Sequence, residues 1–265
     1  MWIHVLLGAL QGIAEWLPIS SQAVLVLAQV HLLGETNIAA LVETALFFHL
    51  GTFFAALVYY RKDINNLLRS LLAWKAASLK TKKEIKFYVI ATTISAVLGF
   101  GLLMLLERVV FDFELAGQII TIAVGVLLLG TAALQVFASK QSERALQEPT
   151  PKDAVIAGIG QGFAALPGVS RSGTTVSLLL LRGLNKRAAL SLSFIMSLPI
   201  VLGGNILLNL NETSLSAESL VGLFSAFVFG LLTIHGLVKL AERVKFSWFV
   251  GFFGVLTLIS GLWFM

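Results

Sequence analysis

Gln11-Gly12-Ile13-Ala14-Glu15-Trp16-Leu17-Pro18-Ile19-Ser20-Ser21 and Gln161-Gly162-Phe163-Ala164-Ala165-Leu166-Pro167-Gly168-Val169-Ser170-Arg171-Ser172 are two versions of one pattern. Both open on Gln-Gly, an apolar residue and Ala, continue to Leu-Pro and finish on a pair of serines, with one-residue adjustments. Each lies in an apolar stretch, residues 1–30 and 154–182, that Pro, Gly and Ser interrupt near its middle. Broken backbone at membrane depth survives only where protein or a polar cavity satisfies it, so both stretches read as re-entrant helical hairpins rather than spans.

The composition around them requires a membrane. Of 265 residues, 57% are hydrophobic and 12% charged, against roughly 25% charged in a soluble domain. Too few polar residues remain to cover a globule in water, so the chain is an integral membrane protein. The absence of cysteine excludes a disulfide scaffold, a thiolate metal site and a cysteine nucleophile. Residues 1–30 are not read as a signal peptide, because no positive residue opens them and Glu15 and Pro18 interrupt the apolar run.

Charge placement supplies a topology. Of the 19 Lys and Arg, eight fall between Arg61 and Lys86. Lys140, Arg144 and Lys152 mark a polar stretch at 139–153, Arg182, Lys186 and Arg187 a short turn, and Lys239, Arg243 and Lys245 the last basic loop. Between them lie six apolar segments, 41–60, 87–107, 116–138, 188–209, 218–238 and 246–264, each close to the ~20 residues that cross a bilayer. The loops near 31–40, 108–115 and 210–217 are poor in Lys and Arg and contain Glu35, Asp112, Glu114 and Glu212. The positive-inside rule puts the basic loops in the cytoplasm and the others outside, with no loop in conflict. The hairpin 154–182 then enters from the cytoplasm and 1–30 from outside, with both termini outside. The net charge of +5 belongs to lipid headgroups rather than nucleic acid.

Each hairpin is followed by three spans, so the chain is one membrane domain built as an inverted repeat. Repeat one covers about residues 1–138 and repeat two about 154–265, joined by the cytoplasmic loop 139–153. Paired broken segments in inverted repeats place a site at the repeat interface, near the midplane.

Polar residues inside a membrane are expensive, which makes them functional by default. Arg171 is the cation set within an apolar segment rather than at its end, and Ser170, Ser172, Thr174, Thr175, Gly168 and Gly173 surround it. Guanidinium, hydroxyl and backbone N–H donors, with a helix restarting near Gly173, favour an oxyanion, and phosphate suits them best. The alternative is an Arg paired with Glu15 to lock the hairpins together. Glu15, the carboxylate of the first hairpin, would ligate a hard cation such as Mg²⁺, move a proton, or serve as a counter-ion. Ser20 and Ser21 follow Pro18, where one acts as a nucleophile or both satisfy backbone. His49, mid-span with Glu43 six residues before it, is a proton-handling candidate or a packing element. His4, His31 and His235 read as structural, Trp2, Trp248 and Trp263 as interfacial anchors. Gly158-x-Gly160-x-Gly162 follows no strand and reads as close helix packing.

The two opening motifs, the second extending through Gly173-Thr174-Thr175, resemble the signature motifs of the undecaprenyl pyrophosphate phosphatase family, the bacitracin-resistance proteins. Phe48-His49-Leu50-Gly51-Thr52 is similar to a further family segment. The resemblance runs nearly the whole chain. It implies six spans with two re-entrant hairpins, a pocket opening outward, a divalent cation (Mg²⁺ or Ca²⁺), and hydrolysis of a polyprenyl diphosphate to the monophosphate. That reaction recycles the carrier lipid of the cell envelope. Carried over by position, Glu15 matches the family's essential acidic residue and Gln11 a position filled by Glu or Gln. Ser21 matches the proposed nucleophile, and Ser170, Arg171 and Thr175 match diphosphate-binding residues; Ser20 and Ser172 flank them. The family usually reads small-Gly-His after the serine pair, whereas this chain has Gln22-Ala23-Val24. Without that histidine, His49 or Glu15 takes the proton, a metal-bound water attacks, or the chain is a weak hydrolase.

Two functions fit these residues. One is a phosphatase, in which positioning and charge neutralisation carry phosphoryl transfer. The other is a transporter or flippase of polyprenyl phosphate lipids, since inverted repeats with a midplane anion site serve alternating access. An anion channel is disfavoured, because one intramembrane Arg is not a ring. The partners expected are the lipid diphosphate, membrane lipids and, as a homodimer, a second copy.

Overall fold

A spanning segment must satisfy its own backbone polar groups, and apolar runs of this length do so as helices. The computed structural model describes residues 1–33, 38–110, 116–138, 148–166, 169–208 and 216–263. Among them are eleven helices and no strand: α1 (Trp2–Ala14), α2 (Ser21–Leu33), α3 (Ile38–Tyr59), α4 (Arg61–Leu72), α5 (Leu79–Val110), α6 (Ala116–Ala138), α7 (Pro151–Phe163), α8 (Arg171–Leu181), α9 (Lys186–Leu208), α10 (Ala217–Arg243) and α11 (Ser247–Trp263). Leu79–Leu105, Lys186–Leu207 and Ala217–Arg243 are long and apolar enough to cross a membrane. The chain is an all-helical membrane protein.

Helix ends differ from the sequence expectation where charge had been taken as the boundary. α5 starts at Leu79 rather than at 87, and α10 runs to Arg243 rather than 238. Lys and Arg extend their charged heads to water on long apolar stems, so a helix continues past the bilayer edge without burying charge. The basic run after α3 also holds a helix, α4, that the span pattern did not call for. The expected loops near 108–115, 139–153 and 210–217 fall largely outside the described residues, as do 34–37, Pro167, Gly168 and the side chains of His31, Arg108 and Trp263. Of the expected loop 31–40, the flanks are helical, with α2 running to Leu33 and α3 starting at Ile38. Trp2 and Trp248 are exposed beside helix starts, as interfacial anchors would be.

Each broken stretch is two short helices. α1 closes with the Glu15 N–H on Gln11 O, and Pro18, which has no N–H to donate, prevents continuation into α2. α7 opens on a capping box between Thr150 and Asp153 with Pro151 at its first position. Ser170 caps α8 by accepting the Gly173 N–H. Asp153, fully buried, also takes the Arg182 Nε–H at 2.8 Å. That pair ties the start of α7 to the end of α8.

The chain forms two compact units that alternate along the sequence. One comprises Met1–Leu17, Ser21–Ile85 and Phe194–Arg243. Its core is Leu7, Leu25, Ala45, Phe47, Phe48 and Ala226. α1 lies tightly on α10: a Cβ at Gly12 would sit 2.6 Å from Gly230 N and 2.7 Å from Ala226 O. Helices associate in lipid through such close packing. Trp16, 1% exposed, donates from Nε1 to Gly230 O at 3.0 Å and meets Phe194 edge-on.

The second unit comprises Pro18–Ser20, Lys86–Ser193 and Val244–Met265. Here α7 uses its glycines on two sides. Gly158 and Gly162 face Ala91 and Leu98 of α5, while Gly160 faces Leu178 of α8. Close packing accounts for that Gly-x-Gly-x-Gly run.

Candidate active site

Gln11 and Glu15 stand four residues apart, on one face of a helix. Both are buried, at 0% and 6% exposure, and Gln11 Nε2 donates to Glu15 Oε2 at 3.0 Å. The chain then turns and restarts as α2 at Ser21, which brings the Ser21 hydroxyl back: Oγ donates to the same Oε2 at 2.8 Å. From α3, His49 Nε2 lies 3.3 Å from Oε2. The other ring nitrogen, Nδ1, is 2.6 Å from Ala45 O. A carbonyl only accepts, so Nδ1 carries the hydrogen and Nε2 is the nitrogen turned to Glu15. Thr52 Oγ1 donates to His49 O at 3.0 Å and steadies that turn of α3. One carboxylate thus gathers a serine hydroxyl, a glutamine amide and an imidazole, all within the first unit.

A hard cation can be tested against this cluster. Among the described residues no three His, Asp or Glu side chains gather as a ready metal cage. Gln11, with its Nε2 committed to Glu15, has a buried Oε1 without a hydrogen-bond partner. One carboxylate and one amide oxygen suit Mg²⁺, which takes few protein ligands and completes its shell with phosphate and water. The residues fit such an ion.

The second unit holds the other motif. Pro18–Ser20, the tip of the first elbow, belongs to it, and so does the start of α8. A Cβ on Gly173 would lie 3.1 Å from Pro18 O, 2.9 Å from Ser170 Oγ and 2.8 Å from Gln135 Nε2. The tip of the first elbow therefore lies against the first turn of α8, and glycine allows it. Arg171, half-buried, is the first residue of α8, at the positive end of the helix dipole. Ser170 Oγ accepts the Gly173 N–H at 3.1 Å, which leaves its own hydrogen to donate. Ser20 and Ser172 are buried. Thr175 turns inward: its hydroxyl donates to Arg171 O at 2.8 Å and meets Ser193 Oγ at 2.6 Å.

Two residues here escaped the sequence reading. Gln135 of α6 donates from Nε2 to Pro18 O at 2.7 Å, pinning the first elbow beside Gly173. Ser193 of α9 braces Thr175. The signal for Gln135 was an amide inside an apolar span, costly there without a partner; Ser193 is one serine among several in 188–209 and gave none. Of the other histidines, His235 Nδ1 meets Tyr59 OH at 3.2 Å, and His4 lies half-buried on α1.

Comparison with known proteins agrees with the motifs. The family model described as bacitracin resistance protein BacA matches residues 4–259. A protein of Methanococcoides burtonii is 38% identical over 260 residues, covering 97% of this chain and 96% of that relative. One of Haloarcula marismortui is 40% identical over 265 residues, covering 98% and 97%. A third, of Methanothrix thermoacetophila, is 38% identical over 257 residues, covering 96% and 94%. All three are named undecaprenyl-diphosphatase. Matched from residue 4 to residue 259 and carrying both broken motifs, this chain belongs to the bacitracin resistance protein BacA family.

Proposed function

We propose that this chain removes the terminal phosphate of a polyprenyl diphosphate within the membrane, yielding the lipid monophosphate and inorganic phosphate and so recycling an envelope carrier lipid. The observation that carries the reading is the 2.8 Å hydrogen bond from Ser21 Oγ to the buried Glu15 carboxylate. A hydroxyl whose proton already rests on a carboxylate is an activated nucleophile. As Ser21 Oγ bonds to the terminal phosphorus, its proton passes to Glu15, and the bond from that phosphorus to the bridging oxygen breaks. The lipid monophosphate departs. Water then attacks the phosphoserine, Ser21 takes its proton back from Glu15, and the proton shed by water leaves with inorganic phosphate.

Gln11 and His49 both meet the Glu15 oxygen that accepts from Ser21, with His49 the neighbouring group able to share its proton. Arg171 neutralises phosphate charge in a bidentate manner. Ser20, Ser170 and Ser172 donate hydroxyls to the diphosphate, and Thr175 keeps the first turn of α8 in shape for it. A divalent cation, Mg²⁺ or Ca²⁺, adds charge neutralisation when bound, and Glu15 with the Gln11 amide oxygen are the residues to hold it. The shared name of the relatives favours hydrolysis over lipid transport.

The same reading includes a plasma-membrane topology of six spans, α3, α5, α6, α9, α10 and α11, with α1–α2 and α7–α8 as re-entrant hairpins. Basic loops face the cytoplasm, and the termini and the substrate pocket face outside.

The test is phosphate release from a polyprenyl diphosphate by detergent-purified protein with Mg²⁺ or Ca²⁺. Release should stop with chelator and with Arg171→Ala, and acid quenching should trap phosphate on Ser21. Full release by Ser21→Ala would remove the serine from the mechanism, and tight lipid binding without release would favour transport.

A further inference from the structure

α4 takes no part in the chemistry above, and it has no buried residue. Its apolar residues are Ile64, Leu67, Leu68, Leu71 and Leu72, the i, i+3, i+4, i+7, i+8 spacing of one continuous helical stripe. Lys62, Asn65, Asn66, Arg69 and Ser70 repeat the same spacing on the opposite face. Such a stripe ordinarily packs on protein. Here Leu68 is 58% exposed, Leu71 54% and Leu72 91%, and Trp74, just beyond the helix, is 39% exposed.

Size and charge say what covers it. The 12 residues of α4 reach roughly 18 Å, too short for a hydrocarbon core of about 30 Å. The helix follows α3 after a single residue, Tyr60, so in a membrane protein the stripe stays tethered at the bilayer. From residue 61 to 86 there are eight Lys and Arg against two acidic residues, Asp63 and Glu84. Lys82 Nζ lies 5.8 Å from the Trp74 ring centroid, pairing an aromatic body with a cationic head, as interfacial anchors do.

We propose that α4 is an interfacial helix that lies along the membrane surface, with Leu68, Leu71, Leu72 and Trp74 at the acyl boundary and acidic lipid headgroups bound by the basic residues around it. A high-amphipathicity helix with Lys and Arg on its polar face binds anionic bilayers in this way. Each basic side chain near such a surface is worth roughly a fivefold preference for anionic lipid. Its partner is an acidic lipid surface rather than a soluble protein.

With no cysteine in the chain, single spin labels can be placed freely. Leu68→Cys and Leu72→Cys report the apolar stripe, Asn66→Cys and Ser70→Cys the polar face. The labelled full chain is reconstituted into nanodiscs of phosphatidylcholine alone, or of phosphatidylcholine with phosphatidylglycerol. In the mixed discs, stripe labels should be relaxed by oxygen and shielded from a water-soluble nickel chelate, and polar-face labels the reverse. Shielding of the Leu72 label should fall in phosphatidylcholine alone. It should fall equally in mixed discs when Lys62, Arg69 and Lys75 are all changed to Gln, with phosphate release unchanged. A stripe label open to nickel in mixed discs overturns the proposal. So does equal shielding whatever the lipid and charge, which would mean that acidic headgroups do not hold the helix.

Discussion

Ser21 Oγ and Gln11 Nε2 both donate to one oxygen of Glu15, and His49 faces the same oxygen. Losing the carboxylate charge removes the proton acceptor while keeping the shape. Glu15→Gln is therefore expected to slow phosphate release at least a hundredfold, about 2.7 kcal/mol of barrier, with thermal stability of the purified protein little changed. Val24 stands where the family usually has histidine, one helical turn after Ser21. Because Glu15 already accepts the Ser21 hydroxyl's hydrogen bond, Val24→His should alter turnover by less than about threefold, well under the gain of adding a missing general base. A larger gain in a steady-state phosphate assay would show that Glu15 is not the base.

At the scale of elements, the second motif depends on the close approach of an elbow to a helix start. Gly173→Ala would push a methyl toward Pro18 O, Ser170 Oγ and Gln135 Nε2. Gln135 can swing away; the Pro18 carbonyl and the Ser170 cap cannot. The expected result is loss of most activity with a stability cost of about 1–3 kcal/mol, read by a melting curve beside the phosphate assay. Gln135→Ala should cost less stability, about 1 kcal/mol for one hydrogen bond, yet raise KM by freeing the elbow. At the base of the α7–α8 hairpin, Asp153 is fully buried against Thr150 and Arg182. Asp153→Ala removes a cap and an ion pair together. Since Arg182 is partly exposed, the expected loss is roughly 2–3 kcal/mol, below the range for a pair buried at both ends, measured as denaturant midpoint in detergent.

Across the whole molecule, the testable feature is orientation. Single cysteines at Ser78 and Lys152, in the basic stretches, should react with a membrane-impermeant maleimide only after cells are opened. A cysteine at Ala217, at the start of α10, should react in intact cells. The reverse pattern would invert the topology and put the hairpin 1–30 on the cytoplasmic side.

How much of this was legible in the sequence follows from what each signal needs. Composition, apolar run length and charge spacing act locally, so the sequence by itself determined an all-helical membrane protein with two broken motifs and the family they mark. It also singled out Glu15, Ser21, Gln11, His49 and Arg171, because a polar group inside an apolar run is conspicuous wherever it folds. Only the tertiary structure decided that Ser21 and His49 converge on one Glu15 oxygen and that Thr175 turns inward to Ser193. The same holds for Gln135, which reaches across 117 positions of sequence separation to Pro18. Hydrogen bonds extend about 3 Å and have strict direction; no periodicity records which distant side chain will arrive within that reach.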